Sequence, residues 1–88
     1  MTSSTPDYTV YTKPGCPNCV KTMEYFDRKG ITFQAIDITK VPAALEFISQ
    51  DLGYSEAPVV QSNLEENDHW SGIRMDKLTQ AARRRKAA

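Results

Sequence analysis

Two cysteines are present in the 88-residue chain, and both fall in one heptapeptide, Lys13-Pro14-Gly15-Cys16-Pro17-Asn18-Cys19. Two thiols at this spacing can close a small disulfide ring when they lie in the first turn of a helix, so the pair can store two electrons. The neighbouring residues place Cys16 at a strand-to-helix corner. Tyr8-Thr9-Val10-Tyr11-Thr12 alternates and is rich in β-branched and aromatic side chains, which predicts a strand. Pro14-Gly15 turns the chain, and Pro17, with its fixed φ and missing N–H, suits the first turn of a helix. At a helix N-terminus the free N–H groups and the positive dipole end stabilise an anion, and a thiolate is an anion. Cysteines so placed have pKa values of about 3.5 to 7.5, against roughly 8.5 for the free thiol. Cys16 is therefore the expected nucleophile. Cys19, one turn in and more enclosed, is the expected resolving thiol for a mixed disulfide on Cys16.

Size and charge narrow the setting. The chain has room for one small domain. Its 11 basic residues balance 11 acidic ones, which gives no reason to expect a nucleic-acid partner. No apolar run approaches the roughly 20 residues of a membrane span, so no membrane partner is expected. Residues 1–7 lack the basic region and apolar core of a signal peptide and are expected to be a disordered lead-in. These features favour the cytoplasm, a reducing compartment where a vicinal cysteine pair is more often redox-active or metal-binding than a structural staple. Tetrahedral zinc takes four ligands, and the chain offers two cysteines and one histidine. A metal centre shared by two chains through their cysteine pairs is the non-catalytic alternative.

The elements around the corner can be placed in order. Val20, Met23 and Phe26 recur at helical spacing, and Gly30 is expected to end that helix. Residues 31–38 predict a second strand, parallel to the first across a helical connection. Thr39 is the expected cap of a second helix, with Pro42 in its first turn, Leu45, Ile48 and Leu52 as its apolar stripe and Gly53 as its stop. Ala57-Pro58-Val59-Val60 opens a third strand, with Pro58 at its first residue because a proline further in is disfavoured. An acidic hairpin loop over 62–68 leads to a short strand, His69-Trp70-Ser71, broken by Gly72. Met75, Leu78 and Ala82 then mark the apolar side of a last helix from about Arg74. The expected divisions are a lead-in at 1–7, a domain at 8–82 and a solvated basic tail at 83–88. A β-α-β-α-β-β-α order with a two-cysteine corner is the thioredoxin-type α/β layout, a four-stranded mixed sheet flanked by three helices.

Several segments together resemble the NrdH-redoxins: Tyr11-Thr12-Lys13-Pro14 before Cys16-Pro17-Asn18-Cys19, then Asp37-Ile38-Thr39, Leu52-Gly53-Tyr54, Ala57-Pro58-Val59-Val60 and His69-Trp70-Ser71-Gly72. The likeness runs from Tyr8 to about Leu78. It implies a glutaredoxin-like dithiol-disulfide oxidoreductase that behaves as a thioredoxin. Such a protein carries no cofactor beyond the Cys16–Cys19 pair and takes electrons from NADPH through thioredoxin reductase. It passes them to the large subunit of class Ib ribonucleotide reductase, and a monomer is expected. The resemblance also implies that Pro58 is cis and faces the cysteines, with a backbone edge at Ala57 for an incoming disulfide peptide. Lys13, Pro17 and Asn18 are the expected modulators of the thiolate and the disulfide. Trp70, Ser71, Gly72 and Arg74 are the implied docking residues, with Trp70 alone also readable as core. His69 receives no role.

In glutaredoxins the cysteines usually enclose Pro-Tyr, Thr-Val-Pro precedes the third strand, and Gly-Gly followed shortly by Asp-Asp holds glutathione. Asn18, Glu56-Ala57 and Ser71-Gly72-Ile73-Arg74-Met75 stand at those places here. The acidic contact for the amino end of glutathione is therefore expected to be lost, and Arg74 to repel it. A glutathione-dependent glutaredoxin or mycoredoxin-like protein is the alternative. Ile73 and Met75 replace the usual Phe and Pro of the NrdH-redoxins, and the hairpin at Glu65-Glu66 is longer. These departures bear on docking more than on chemistry.

Overall fold

Tyr8–Thr12 (β1) is apolar or buried along nearly its whole length, as a strand covered on both faces must be. The computed structural model describes residues 5–87, with side chains through Arg84. It places β1 inside a four-stranded sheet of order β2-β1-β3-β4. Phe33–Asp37 (β2) runs parallel to β1, with Tyr8 opposite Phe33 and Thr12 opposite Asp37. Val59–Ser62 (β3) is antiparallel on the other side, with Tyr11 opposite Val59, and His69–Ser71 (β4) completes the sheet with Trp70 opposite Val60. Three helices flank it, Pro17–Arg28 (α1), Pro42–Glu46 (α2) and Met75–Ala87 (α3). This is the expected thioredoxin-type architecture.

Alternation along β1 divides the core. Tyr8 and Val10 join Phe26, Ile31, Val60, Trp70, Leu78 and Ala81 on the face covered by α1 and α3. Tyr11 joins Ala44, Ile48 and Val59 on the face covered by α2.

The α1 crossover ends as expected, at Gly30 with φ +69°. The Gly30 N–H donates to the Asp27 carbonyl at 3.2 Å and the Ile31 N–H to the Phe26 carbonyl at 2.9 Å, a Schellman arrangement. Ile31 and Phe26 also share the same core, so Ile31 closes the helix and β2 begins later than expected, at Phe33. The buried face of α1 carries Cys19, Thr22 and Phe26, with Met23 half-buried, whereas Val20 is 49% exposed. The apolar stripe thus begins on the second cysteine rather than on Val20.

Thr39 does not cap α2. Its N–H and hydroxyl both bond Asp37 Oδ1, at 2.8 and 2.6 Å, closing a turn at the end of β2 and holding the Asp37 carboxyl below its ordinary pKa. Val41 occupies the cap position without a side-chain bond, Pro42 follows in the first turn, and the helix continues through a π-helical turn at Phe47–Asp51. Ala44 and Ile48 face the sheet and Leu45 is 48% exposed, because the small side chain rather than the large one meets β1 and β3. On α3 likewise, Leu78 and Ala81 are buried while Met75 is 56% exposed.

Ordered contacts reach further along the chain at both ends than the elements expected from the sequence. The helix α3 runs to Ala87, so residues 83–87 continue it instead of forming a tail. Arg84 reaches back to Glu65 at 3.3 Å and Asp68 at 3.6 Å, and Lys77 reaches Asp68 at 3.1 Å, which pins the acidic hairpin loop to α3. At the other end, the Asn63 side-chain amide donates to the Pro6 carbonyl at 2.9 Å, and the Asp7 N–H donates to Thr32 Oγ1 at 2.9 Å. Pro6 and Asp7 are thus tied by hydrogen bonds to Asn63 and Thr32; residues 1–4 and 88 lie outside the described residues. Among the described residues no helix is long and apolar enough to cross a membrane.

A Cβ placed on Gly30 would meet nothing within 4 Å, so Gly30→Ala isolates the backbone cost of a left-handed residue. We expect it to lower the unfolding free energy by about 1 kcal/mol. Urea titration should show a lower midpoint at unchanged slope.

Candidate functional site

Cys16 is the N-cap residue of α1, with φ −113° and ψ 97°, and Pro17 follows in the first turn. Its Sγ accepts the Cys19 N–H at 3.2 Å, so the sulfur satisfies one of the free donors at the helix end as a serine or aspartate oxygen would. Cys16 and Cys19 are joined as a disulfide with their Cα atoms 5.2 Å apart. Cys16 is 8% exposed and Cys19 1%. Both are largely covered, but Cys16 is the sulfur at the rim and the one that receives a helix-end N–H.

Strand topology determines what surrounds this corner. Cys16 leaves the carboxyl end of β1 through Lys13-Pro14-Gly15, all exposed, with Gly15 at φ +68° making the turn. The Ala57-Pro58 bond is cis, and Pro58 is buried one residue before β3 begins. Extending the β1–β3 register by one step sets Pro58 across from Thr12, and by a second step Ala57 across from Lys13. The Pro58 carbonyl accepts the Gly72 N–H at 2.8 Å, which brings the end of β4 to the same edge. The cysteine corner, Ala57-Pro58 and Ser71-Gly72 therefore share one end of the sheet. Beside them lies a groove of about 280 Å³ lined by Lys13, Ile38, Leu45, Tyr54, Glu56 and Ala57 among others. Asn18 is exposed on the first turn of α1.

Trp70 is placed differently from the docking role expected for it. It is 3% exposed, packed edge-on to Tyr8 with ring centres 6.0 Å apart, with the Lys77 ammonium 5.5 Å from its ring centre. In a strand three residues long, the central side chain faces the core and its two neighbours face away. Ser71 and the backbone at Gly72 remain at the edge.

Arg74 is exposed, but its charge is not free. Its Nε and Nη2 bond Asp76 Oδ1 and Oδ2 at 3.0 and 2.8 Å. This two-point contact raises the Arg74 pKa and lowers that of Asp76. An acid thus survives in the segment where it was expected to be lost, one residue beyond Met75. The Arg-x-Asp spacing at a helix start was the available signal. Glu56 is a second residue missed by sequence reasoning. Its Oε1 accepts the Ser71 hydroxyl at 3.3 Å and lies 3.1 Å from where a Cβ on Gly72 would stand. Gly72 has φ +73°, so a side chain there is disfavoured by both conformation and contact. His69, for its part, bonds the Tyr54 hydroxyl through Nδ1 at 2.8 Å, and its place opposite Gln61 is at the other end of β4 from Ser71 and Gly72.

Residues 8–65 match the glutaredoxin family. The chain belongs to that family. It is 31% identical to the glutaredoxin-like protein NrdH of Escherichia coli over 80% of this chain and 82% of that one. A gene 56 protein of Mycobacterium phage L5 is 36% identical over 59% of this chain, and the match spans 50% of the phage protein. The structure of the glutaredoxin-like protein NrdH-redoxin from Escherichia coli, which has a thioredoxin-like activity profile, superposes with a TM-score of 0.74 at 30% identity. That superposition covers 83% of this chain and 91% of that one.

With this fold and this pair of sulfurs, the protein of the glutaredoxin family is a thiol-disulfide oxidoreductase. Among the described residues there is no group of three or more histidine, cysteine or acidic side chains able to hold a metal. The division of labour expected from the sequence is that the Cys16 thiolate attacks a partner disulfide, one partner sulfur leaving with the electron pair, and that Cys19 then attacks Cys16 Sγ, releasing the second partner sulfur and forming the intramolecular disulfide.

Cys19→Ser should therefore accumulate a mixed disulfide on Cys16, and Cys16→Ser should abolish attack. Mass spectrometry of each variant after incubation with a disulfide substrate checks the first point. Alkylation of the reduced protein at neutral pH checks the second, since faster labelling of Cys19 than of Cys16 would reverse the assignment.

Proposed function

We propose that the protein is a cytoplasmic, monomeric electron carrier that takes electrons from NADPH through thioredoxin reductase and reduces the large subunit of a class Ib ribonucleotide reductase. The observation that carries this reading is the state of the Ser71–Asp76 segment. A glutathione ammonium would need a carboxylate there, and that of Asp76 is engaged on both oxygens by Arg74. The carboxylates of glutathione would meet Glu56, which stands over Ser71 and Gly72. Both features weigh against a glutathione tripeptide and leave the edge free for a protein chain.

A partner segment carrying a disulfide would lie along the backbone at Ala57 and Pro58, where the cysteines, Ser71 and Gly72 border the same sheet end. Lys13 supplies positive charge on the cysteine side, while the charge of Arg74 is paired with Asp76. Pro17 and Asn18, exposed between the cysteines, set how readily the disulfide is reduced. The likeness to the NrdH proteins of Escherichia coli supports the same reading. The retained Asp76 favours the second reading, a glutathione-dependent glutaredoxin, because one broken ion pair would return an acid to the site.

Two reductants offered side by side distinguish these readings. NADPH with thioredoxin reductase should reduce the Cys16–Cys19 disulfide rapidly, and glutathione with its reductase slowly. Arg74→Ala should release Asp76 and raise glutathione-supported turnover by about threefold, a modest gain because exposed ion pairs are weak. Rapid reduction of the unaltered protein by glutathione, with no response to thioredoxin reductase, would favour the second reading.

A further inference from the structure

Thr22 sits on the core face of α1 with 0% exposure, and its Oγ1 has no hydrogen-bond partner among the described residues. A threonine inside a helix commonly returns its hydroxyl to the carbonyl three or four residues earlier, here that of Cys19 or Asn18. That bond is not made. Leaving a buried hydroxyl unpartnered costs stability, and a valine of nearly the same shape would avoid the cost. The position of the hydroxyl relative to the second cysteine suggests what it is for.

Thr22 lies three residues after Cys19, one turn along the same face, and both are buried. Side chains in a helix lean towards its N-terminus, so the Thr22 hydroxyl leans over the turn that carries Cys19. In the disulfide, Cys16 Sγ accepts an N–H while no described donor reaches Cys19 Sγ. Reduction frees the Cys19 sulfur from Cys16 and increases its capacity to accept a hydrogen bond, most of all as a thiolate. At 1% exposure, bulk water has little access to it. Among the described residues no ionised substitute lies on this face. Lys21, Glu24, Asp27 and Arg28 are on the exposed sides of α1, the α3 residues in the same core are Leu78 and Ala81, and burial raises the pKa of the nearby Tyr8 so that it stays neutral.

We propose that the Thr22 hydroxyl donates a hydrogen bond to the Cys19 sulfur in the dithiol state, so that the polar group stranded by oxidation is satisfied by reduction. Two effects follow. The disulfide becomes a better oxidant, because only the reduced state gains the bond. Resolution becomes faster, because the sulfur that must carry negative charge meets a donor inside the core. In that step Cys19 gives up its proton and bonds to Cys16 Sγ. The bond from Cys16 to the partner breaks, and the partner sulfur leaves with the electron pair and takes up a proton. This role rests on the dithiol chemistry alone and does not depend on which protein is the partner.

The test compares Thr22→Val and Thr22→Ser with the unaltered protein. In glutathione redox buffers of graded ratio, Thr22→Val should shift the equilibrium towards the disulfide by about tenfold, which is about 30 mV for a two-electron couple. Thr22→Ser should stay within about twofold of the unaltered protein. A role confined to packing would change the stability of both redox states together and leave the potential where it was. In a kinetic arm, Cys16 is loaded with thionitrobenzoate, and release of that group by Cys19 should be several-fold slower in Thr22→Val. Loading itself, measured with Cys19→Ser present, should be unchanged. A measurement on the unaltered protein does not depend on any variant folding. The Thr22 hydroxyl proton should be protected from exchange and visible by NMR in the reduced form and not in the oxidised form. An unchanged potential and release rate in Thr22→Val, a Thr22→Ser protein that behaves as the valine variant does, or an equally protected hydroxyl in both states would each overturn the assignment.

Discussion

One hydrogen bond organises the chemistry, from the Cys19 N–H to Cys16 Sγ across the first turn of α1. It makes the sulfur the cap of the helix, so the group that must bear negative charge is also the group that satisfies a free backbone donor. The same turn carries the two cysteines in opposite circumstances, one at the rim of the fold and one against its core. The difference in hydrogen bonding and exposure between the two sulfurs follows from where the helix begins.

That beginning is held by packing on both sides of β1. Phe26 and Ile31 anchor the far end of α1 on one face of the sheet, and the Schellman bonds at Gly30 and Ile31 stop it there. Tyr11, Val59 and Ile48 fill the opposite face. Because β1 lies between a parallel and an antiparallel neighbour, its carboxyl end meets the beginning of β3 and the end of β4, and the cysteine corner, Pro58 and Gly72 become neighbours in space. The placement of the groove follows from topology, and the identity of its walls from the few side chains that happen to line those ends.

Charges at the same end are mostly paired within the protein. Arg74 is engaged by Asp76, and Glu56 by Ser71. The remaining polar network, Asp68 and Glu65 with Arg84 and Lys77, lies at the hairpin and ties α3 to the sheet. An acidic loop and a basic helix end that look like separate solvated runs in sequence are one structural joint.

The corner, the order of elements and the glutaredoxin-like character were legible from Cys16-Pro17-Asn18-Cys19, the alternating strand before it and the turn residues that separate the elements, because these are local signals in which propensity and spacing agree. Gly30 was legible for the same reason, since a left-handed helix end asks for glycine whatever lies around it. What local pattern does not contain is which side of each element meets which neighbour. Val20, Leu45 and Met75 suit a helix stripe, yet the sheet receives Cys19, Ala44 and Ala81 instead. Thr39 suits a cap, but Asp37 is closer and takes its bonds. Trp70 could serve as surface or core until the pairing of β4 with β3 turned it inward. The pairing of Arg74 with Asp76 and the closeness of Glu56 to Gly72 likewise depend on three-dimensional approach. So does the burial of Thr22 beneath the second cysteine, which sequence alone presents as one more polar residue in a helix.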